Sequence, residues 1–358
     1  MKKGIELEYW VIDEAGRLTT PDSLTEVSDE VEQEFVECLF EIKTTPCETI
    51  AGLREELVER LRIVLEECDR LNKRLVPLGT PIHGGRIRQR PGDRSRIQER
   101  VIGGSFAYAR YCAGTHVHFE RRDETDQLNV LSALDPALAL LSSSPYFQGR
   151  RIAADARSYV YRRKGYGRHP RHGQLWDYVD DVEEWNERLD RRYDEFKRAA
   201  FERGVDQREV DDHFTSDDAV WTPVRLRKAC PTVEWRSPDA ALPSETLRLV
   251  ADVDALLGRL DDVDVRIEGE EGRVTGDAIT LPRFERLRDY VDAAIHDGTE
   301  STEVRAYLGR MGFDVSSYAP NTHRIDGRDR VTEGEACELR VRSAERLERD
   351  VDRLARAG

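Results

Sequence analysis

Lysine, paired cysteines and long apolar runs are all scarce in this chain of 358 residues. The six cysteines, at positions 38, 47, 68, 112, 230 and 337, form no C-x-x-C pair, which argues against a zinc ribbon or a disulfide framework. The longest apolar stretch, around residues 138–141, is far too short to cross a bilayer, and Glu6 and Glu8 interrupt the apolar core that a signal peptide needs. We therefore expect a cytoplasmic protein with reduced thiols.

Two common catalytic signatures are also missing. The loop at 79–96 is rich in glycine, arginine and proline but lacks the Gly-Lys-Ser/Thr ending of a P-loop, so a Walker nucleotide site is not indicated. No serine stands in a G-x-S-x-G turn and no cysteine has a nucleophile signature, so covalent catalysis has no support. Because no linker interrupts the chain, we predict one catalytic domain over 1–260, with a hairpin and helical extension over 261–358 packed on it.

The charge balance is strongly acidic. Only seven of the 56 basic residues are lysine, and 71 acidic residues bring the net charge to −15. Such a surface is strongly hydrated and repels itself, which suits a halophilic cytoplasm of high ionic strength; a GC-rich genome is the alternative explanation. The same surface disfavours nucleic acid and anionic membranes, so we expect small-molecule substrates as partners. The sequence leaves open whether the protein forms a homodimer.

Two short segments alternate apolar residues with residues that can bind a metal. They are residues 4–8 (GIELE) and 114–120 (GTHVHFE). Side chains two apart on a strand share one face, so Glu6 and Glu8 should project together, as should His116, His118 and Glu120. These strands therefore predict one polar face and one apolar face.

Two further segments set a single glutamate inside an apolar stretch. Glu41 lies in residues 39–42 (LFEI) and Glu234 in residues 233–236 (VEWR). Carboxylates are almost never buried unless they are paired or bound to a metal. Four acidic strands in one chain therefore indicate a shared cation site, at which Glu41 and Glu234 should converge with the other acids on one sheet face.

Hydrophobic spacing predicts the other elements. Apolar residues at helical intervals predict a long amphipathic helix over 53–75, and the region 79–96 is expected to be a loop. The predicted strands are 4–12, 37–44, 76–80, 112–120, 219–228 and 231–237, followed by a charged hairpin at 263–280. Helices are predicted at 125–142, 177–203 and 244–260, and two or three more follow to the end.

Six motifs follow one another from residue 4 to about residue 260: GIELEYW, LFEIKTTP, LGTPIH, GTHVH, SSPYFQG and VEWRSPD. Their order and spacing resemble the glutamate–cysteine ligase family of the carboxylate–amine ligase type. The resemblance implies an α+β fold, in which a curved, mainly antiparallel sheet is lined by metal-binding glutamates and backed by helices. It also implies ATP- and Mg²⁺-dependent formation of γ-glutamylcysteine through a γ-glutamyl phosphate, with Mn²⁺ as a substitute ion.

Matching the family motifs residue by residue implies a role for each polar side chain. The implied metal ligands are Glu6, Glu8, Glu41, His116 and Glu234. Arg236 and Arg157 are implied catalytic groups that hold anionic substrate oxygens, because the guanidinium fork matches carboxylates and phosphates. Arg157, Arg96 and His118 are implied contacts of the nucleotide. Ile97 stands where the family has a tyrosine after the arginine, which weakens the match at Arg96.

Other functions are compatible with the same residues. A ligase for another acidic amino acid and amine would keep the metal and phosphate motifs unchanged. A non-catalytic binding protein could retain the scaffold, and a divalent-metal hydrolase would use the acids and histidines differently. Glu120 fits a surface carboxylate. ADP release that strictly requires both an acid and an amine would distinguish the ligase from the hydrolase.

The acidic composition leads to a first prediction. We expect the thermal unfolding midpoint and the activity to rise with salt, because counterions weaken repulsion among the surface carboxylates of a chain with net charge −15. The measurement is the unfolding midpoint in dilute buffer and in molar KCl. A midpoint that does not change would leave codon bias as the better explanation of the composition.

Overall fold

The computed structural model describes residues 1–325 and 327–356, and its centre is an antiparallel sheet of seven strands. The strands of the chain are β1 (Lys3–Asp13), β2 (Val31–Gln33), β3 (Leu39–Lys43), β4 (Lys73–Val76), β5 (Thr115–Glu120), β6 (Tyr146–Phe147), β7 (Arg150–Arg151), β8 (Val224–Arg227), β9 (Thr232–Trp235), β10 (Asp264–Ile267), β11 (Arg273–Val274) and β12 (Ala278–Leu281). The central sheet has the order β2-β3-β1-β5-β9-β8, and β4 also pairs with β1. The predicted antiparallel α+β fold is confirmed.

Helices surround this sheet. They are α1 (Ile50–Arg70), α2 (Asp93–Ile102), α3 (Glu124–Ala133), α4 (Ala156–Ser158), α5 (Pro170–Gly173), α6 (Val182–Glu202), α7 (Gln207–His213), α8 (Pro243–Leu257), α9 (Phe284–Asp297), α10 (Thr302–Arg310) and α11 (Glu333–Arg356). Residues Tyr159–Gly165 form a π-helix directly after α4. None of the helices in the described parts of the chain combines the length and the apolar character that a membrane span requires.

Helix α1 shows how local sequence decides an element boundary. Thr49 caps its first turn by accepting a hydrogen bond from the Gly52 N–H, and the apolar stripe packs into the core. The predicted continuation to residue 75 is wrong. Asn72 adopts a left-handed conformation with φ of 53°, which asparagine tolerates better than most residues, and the chain then enters β4. The strand predicted at 76–80 is accordingly shifted to Lys73–Val76.

Three other predicted elements differ from the structure. The expected loop at 79–96 ends earlier, because α2 begins at Asp93 and buries Ile97 and Val101 on one face. The helix predicted at 125–142 is divided into α3 and a 3-10 turn, Asp135–Leu140, with Pro136 at the break. The predicted hairpin at 263–280 is a three-stranded sheet in which β10 and β12 run parallel, with β11 antiparallel to β12.

Three helices, α9, α10 and α11, complete the C-terminal region, within the predicted range. Apolar residues of this region, such as Tyr307 and Leu347, belong to the same buried core as Trp10 and Leu57. The division of the chain near residue 260 stays a prediction.

The two faces of the central sheet have different surroundings. Ile5 and Leu7 of β1 point into the main core, whereas the alternating residues Glu6 and Glu8 point into a large cavity. Residues 90–112, 157–173 and 193–223 cover this cavity, and we call them the roof. Two smaller apolar clusters lie within the roof, separate from the main core. The cavity-side residues of β1, β3, β5, β8 and β9 form what we call the floor.

Candidate active site

The strand register of the floor places the predicted polar residues side by side. Glu6 of β1 lies opposite His116 of β5, and Glu8 lies opposite Glu41 of β3. His118 of β5 lies opposite Glu234 of β9. Because cross-strand partners stand about 5 Å apart at Cβ, four neighbouring strands bring these six side chains into one patch.

His116 stands at the centre of this patch. Its Nδ1 atom lies 3.0 Å from Glu6 Oε2, 3.7 Å from Glu41 Oε2 and 3.9 Å from Glu234 Oε1. Its Nε2 atom lies 3.6 Å from Glu8 Oε1. The predicted convergence of Glu41 and Glu234 is thus confirmed, since both carboxylates lie within 4 Å of one imidazole nitrogen.

His118 joins the patch from one side. Its Nδ1 atom shares a hydrogen bond with the Thr232 hydroxyl at 2.9 Å, and its Nε2 atom lies 3.4 Å from Glu6 Oε1. Within the described residues this buried Nε2 has no hydrogen-bond partner. Glu120, at the far end of β5, instead accepts a hydrogen bond from the Lys2 N–H, which fits the predicted surface carboxylate.

A further acid, Glu34, was missed by the sequence reasoning. One oxygen each of Glu8, Glu34 and Glu41 lie within 4.8 Å of one another. Glu34 directly follows β2, the edge strand paired with β3. The signal that could have revealed it is the alternation of Glu32 and Glu34, which repeats the pattern of the first strand.

Glu234 differs from the other acids because arginines already balance its charge. Arg225 donates to it from Nε at 2.6 Å and from Nη2 at 3.3 Å, and Arg236 donates from Nη1. The side chain of Glu234 is only 1% exposed. Arg225, on the neighbouring strand β8, was also missed by the sequence reasoning, although its place in the alternating segment VRLR was a signal.

Burial and like charge act on three of the carboxyl groups. Burial and the negative charge of Glu34 raise the pKa of Glu8 to about 8. Burial, with Glu6, Glu34 and Glu8 nearby, raises the pKa of Glu41 well above its ordinary value, and burial also raises the pKa of Glu34. These groups therefore hold protons at a pH at which an exposed glutamate is fully ionised.

Neighbouring histidines and arginines act in the opposite direction on the remaining two acids. Burial works to raise the pKa of Glu6, but the contacts of its carboxylate with His116 and His118 outweigh burial and lower the pKa. Burial likewise opposes ionisation of Glu234, but Arg225 and Arg236 hold its pKa well below the ordinary value. Burial and Arg236 lower the pKa of His116 to about 4, so its imidazole is neutral at neutral pH.

The donor set fits a divalent cation. Three groups of side chains bring one ligand atom each within 4.8 Å: Glu6, Glu41 and His116; Glu6, His118 and Glu234; Glu8, Glu34 and Glu41. Carboxylate oxygens are the ligands that Mg²⁺ and Mn²⁺ prefer, and the free Nε2 of His118 adds a nitrogen donor. The first and third groups suit a hard cation best, because arginines already satisfy the charge of Glu234.

The cavity above the floor has a volume of about 690 Å³. Its acidic floor faces basic and aromatic side chains of the roof. The roof residues that line it include Arg90, Arg94, Arg157, Tyr161, Tyr166 and Trp221, whereas Arg225 and Arg227 line it from β8 of the floor and Arg236 lines it from the position directly after β9. The ring of Tyr166 stacks on that of Trp221 with centroids 5.7 Å apart, and Tyr161 lies 4.9 Å from Tyr166.

The arginines predicted to hold anions fall into two groups. Arg157 and Arg236 both line the cavity, as expected. Arg96 does not line it, since its guanidinium binds Asp93 and Glu209 on the surface. The reason is the phase of α2, which turns residues 94 and 98 towards the cavity and residue 96 away from it. Arg94 is therefore the arginine of this helix that faces the cavity.

Two stretches of the chain, 79–96 and 161–173, both contribute to the cavity wall. The first supplies Arg90 and Arg94, and the second supplies Tyr161 and Tyr166. Tyr161 lies in the π-helix, an irregularity that is frequent at functional sites.

The profile of Glutamate-cysteine ligase family 2 (GCS2) matches residues 2–351, which is nearly the whole chain. The chain belongs to glutamate–cysteine ligase family 2. This match extends well past residue 260, where the motif resemblance ended, so the C-terminal helices are part of what family members share.

Named relatives of the family agree with this membership. A protein of Jannaschia sp. (strain CCS1), named "Putative glutamate--cysteine ligase 2", is 29% identical over 286 residues, covering 75% of this chain and 68% of the relative. A protein of Paracoccus denitrificans with the same name is 25% identical over 358 residues, covering 94% of this chain and 88% of the relative.

Two solved structures share the fold at low sequence identity. A bifunctional glutathione synthetase from Pasteurella multocida superposes with a TM-score of 0.59 at 15% identity, covering 98% of this chain and 52% of that protein. This chain therefore spans about half the length of the Pasteurella protein. A glutamate–cysteine ligase from Francisella tularensis, solved in complex with AMP, gives a TM-score of 0.55 at 14% identity, covering 99% and 91% of the two chains.

The raised pKa values lead to a prediction for pH and metal. Because the pKa of Glu8 and of Glu41 is higher in the folded than in the unfolded protein, their protonation stabilises the fold at low pH. The contribution of Glu8 is lost as pH rises towards about 8, and that of Glu41 is likewise lost as pH rises through its raised pKa. We expect the metal-free unfolding midpoint to fall over this range, and Mg²⁺ to raise it more at about pH 8.5 than at about pH 6, since binding displaces protons.

The measurement is a thermal melt with and without Mg²⁺ at both pH values. Glu41→Gln should reduce the pH dependence of the metal effect, whereas Glu55→Gln, on the exposed face of α1, is the matched control. An equal Mg²⁺ effect at the two pH values would contradict the idea that these carboxyl groups bind the ion.

The two kinds of buried acid lead to a prediction about stability. Glu8→Gln removes a carboxyl group that the fold already favours in its neutral form, so the free energy of unfolding should hold or rise in metal-free buffer at neutral pH. Glu234→Gln leaves Arg225 and Arg236 without their counter-ion and should lower the free energy of unfolding by about 3–5 kcal/mol. Urea denaturation measures both, and equal losses would show that the two acids have the same environment.

Proposed function

We propose that this protein is an ATP- and Mg²⁺-dependent carboxylate–amine ligase that joins the side-chain carboxylate of L-glutamate to L-cysteine. The observation that supports it best is the opposition of an acidic floor and an arginine-rich roof across one cavity. Ligation of this type brings together a divalent cation, phosphate groups and carboxylates, and a cavity with both signs of charge provides partners for all of them.

The residues of the site have two proposed roles, which follow from their charge. Glu6, Glu41 and His116, and Glu8, Glu34 and Glu41, are the sets that would hold the cation. Mg²⁺ held by these residues would supply the positive charge that phosphate oxygens need during transfer of the terminal phosphoryl group to the glutamate carboxylate. We expect Arg157 in the roof and Arg236, directly after β9, to bind anionic oxygens of the substrates, since both line the cavity.

The enclosure of the site suits an intermediate that water destroys. A γ-glutamyl phosphate must meet the amine before it meets water, so the reacting groups need shielding. The aromatic residues Tyr161, Tyr166 and Trp221 give the roof an apolar part next to Arg157 and Arg236. The cavity volume of about 690 Å³ is within the usual range for small-molecule sites and supports small substrates over a polymer.

A panel of amino-acid pairs tests the proposal. We expect ADP release only when ATP, Mg²⁺, glutamate and an amine are all present, with cysteine and the similarly sized 2-aminobutyrate both accepted. Glu8→Gln should lower kcat about 100-fold, as loss of a charged group at a reacting centre does, while Glu55→Gln should have no effect.

Three results would each favour a different function. ADP release without an amine would indicate a hydrolase, and binding of ATP without turnover for any pair would indicate a binding protein. Turnover with other amines, but with neither cysteine nor 2-aminobutyrate, would keep the ligase reaction and exclude the thiol substrate.

A further inference from the structure

Gly114, the residue before β5, contacts the acidic floor through its backbone. Its N–H donates a hydrogen bond to Glu8 Oε2 at 2.6 Å, and its carbonyl accepts one from the Glu8 N–H at 3.0 Å. Neither contact requires glycine, because almost any residue has these backbone groups. Its φ also lies outside the left-handed range, so the backbone conformation does not require glycine either.

What requires glycine at this position is the guanidinium of Arg157. A Cβ atom added at residue 114 would overlap Nη2 of Arg157 and would lie 2.6 Å from its Cζ and 3.0 Å from its Nε. Real Cβ atoms essentially never approach other heavy atoms closer than 3.0 Å. Arg157 therefore lies flat across the surface that the missing side chain leaves open.

The other contacts of Arg157 hold it only lightly. Nη1 donates to the Ser237 carbonyl and Nη2 to the Arg236 carbonyl, each at 3.1 Å. The buried Nε has no hydrogen-bond partner, and no ion pair of Arg157 occurs, within residues 1–325 and 327–356. Two neutral carbonyl groups and the surface of Gly114 thus hold this guanidinium in position, and among the described residues no carboxylate forms an ion pair with it.

We infer that Gly114 is a positioning residue for the reaction, which keeps Arg157 at the cavity wall in reach of an anionic oxygen of the substrate. This inference rests on the proposed function. Gly114 then sets the spacing between the two halves of the site. Its N–H orients Glu8 on the floor, and the absence of a Cβ atom leaves the space that Arg157 occupies above.

A double-mutant cycle tests this role. Gly114→Ala should displace the guanidinium and raise the KM of one anionic substrate about tenfold or more, with a smaller change in kcat, since the Glu8 contact from the backbone persists. Separate KM values for glutamate and for ATP identify whether a carboxylate or a phosphate oxygen is bound. In the Arg157→Ala background, Gly114→Ala should have no further effect, because no side chain remains to collide with.

Gly104→Ala is the matched control, since a Cβ at this position meets nothing within 4 Å and the residue does not line the cavity. Additive effects in the cycle, or unchanged KM values in Gly114→Ala, would overturn the inference. If Gly114→Ala alone fails to fold, the double variant should fold, and its failure would also overturn the inference.

The test separates this inference from the proposed function. If the wild-type protein shows no ligase turnover, the same four variants are compared by their unfolding midpoints with and without ATP. Coupling between residues 114 and 157 in that measurement would still support the positioning role, and additivity would refute it.

Discussion

The rest of the site depends on one electrostatic constraint, the confinement of like-charged carboxyl groups on a buried sheet face. Glu8, Glu34 and Glu41 disfavour each other's ionisation, and their environment resists charge as well. Backbone pairing keeps them together despite this. Strand β1 is hydrogen-bonded to β3 on one side and to β5 and β4 on the other, so it cannot move its acids apart without breaking the centre of the sheet.

The compensating charges are distributed unevenly, and that gives the floor two regions. Around Glu234, Arg225 and Arg236 make a buried ion pair that is complete without any ligand. Around Glu41, by contrast, Lys43 is the one lysine or arginine among residues 1–325 and 327–356 that forms an ion pair with it, at 3.2 Å, and the protons on the carboxyl groups provide the remaining neutralisation. We expect the second region to be the one that exchanges its protons for a cation, because its carboxylates lack the arginine partners that Glu234 has.

The polar faces of the alternating strands could be predicted from the sequence, because alternation is a pattern among residues that are close together in the chain. A period of two placed Glu6 with Glu8 and His116 with His118, and the motif order connected them to Glu41 and Glu234. Glu34 and Arg225 were missed because their roles come from strand pairing between distant segments, which no local pattern records.

Boundaries account for the remaining differences. Arg96, which the family resemblance implied as a nucleotide contact, points away from the cavity while Arg94 lines it, because the direction of each side chain on α2 depends on where that helix begins. Likewise, Leu71 and Leu75 continued the helical spacing of α1, and only the left-handed Asn72 between them ended the helix. The parallel pairing of β10 with β12 could not be predicted from turn residues, since a hairpin and a crossover begin with the same strand pattern.

The separate apolar clusters of the roof have an evolutionary consequence. The acids belong to strands whose register ties each of them to several others, whereas Tyr161, Tyr166 and Trp221 belong to segments with small cores of their own. A substitution in the roof can therefore change the shape presented to a substrate while the sheet keeps its register. If the protein is the ligase proposed above, selection for a new amine would change residues of the roof, and the acidic floor beneath would be inherited unchanged.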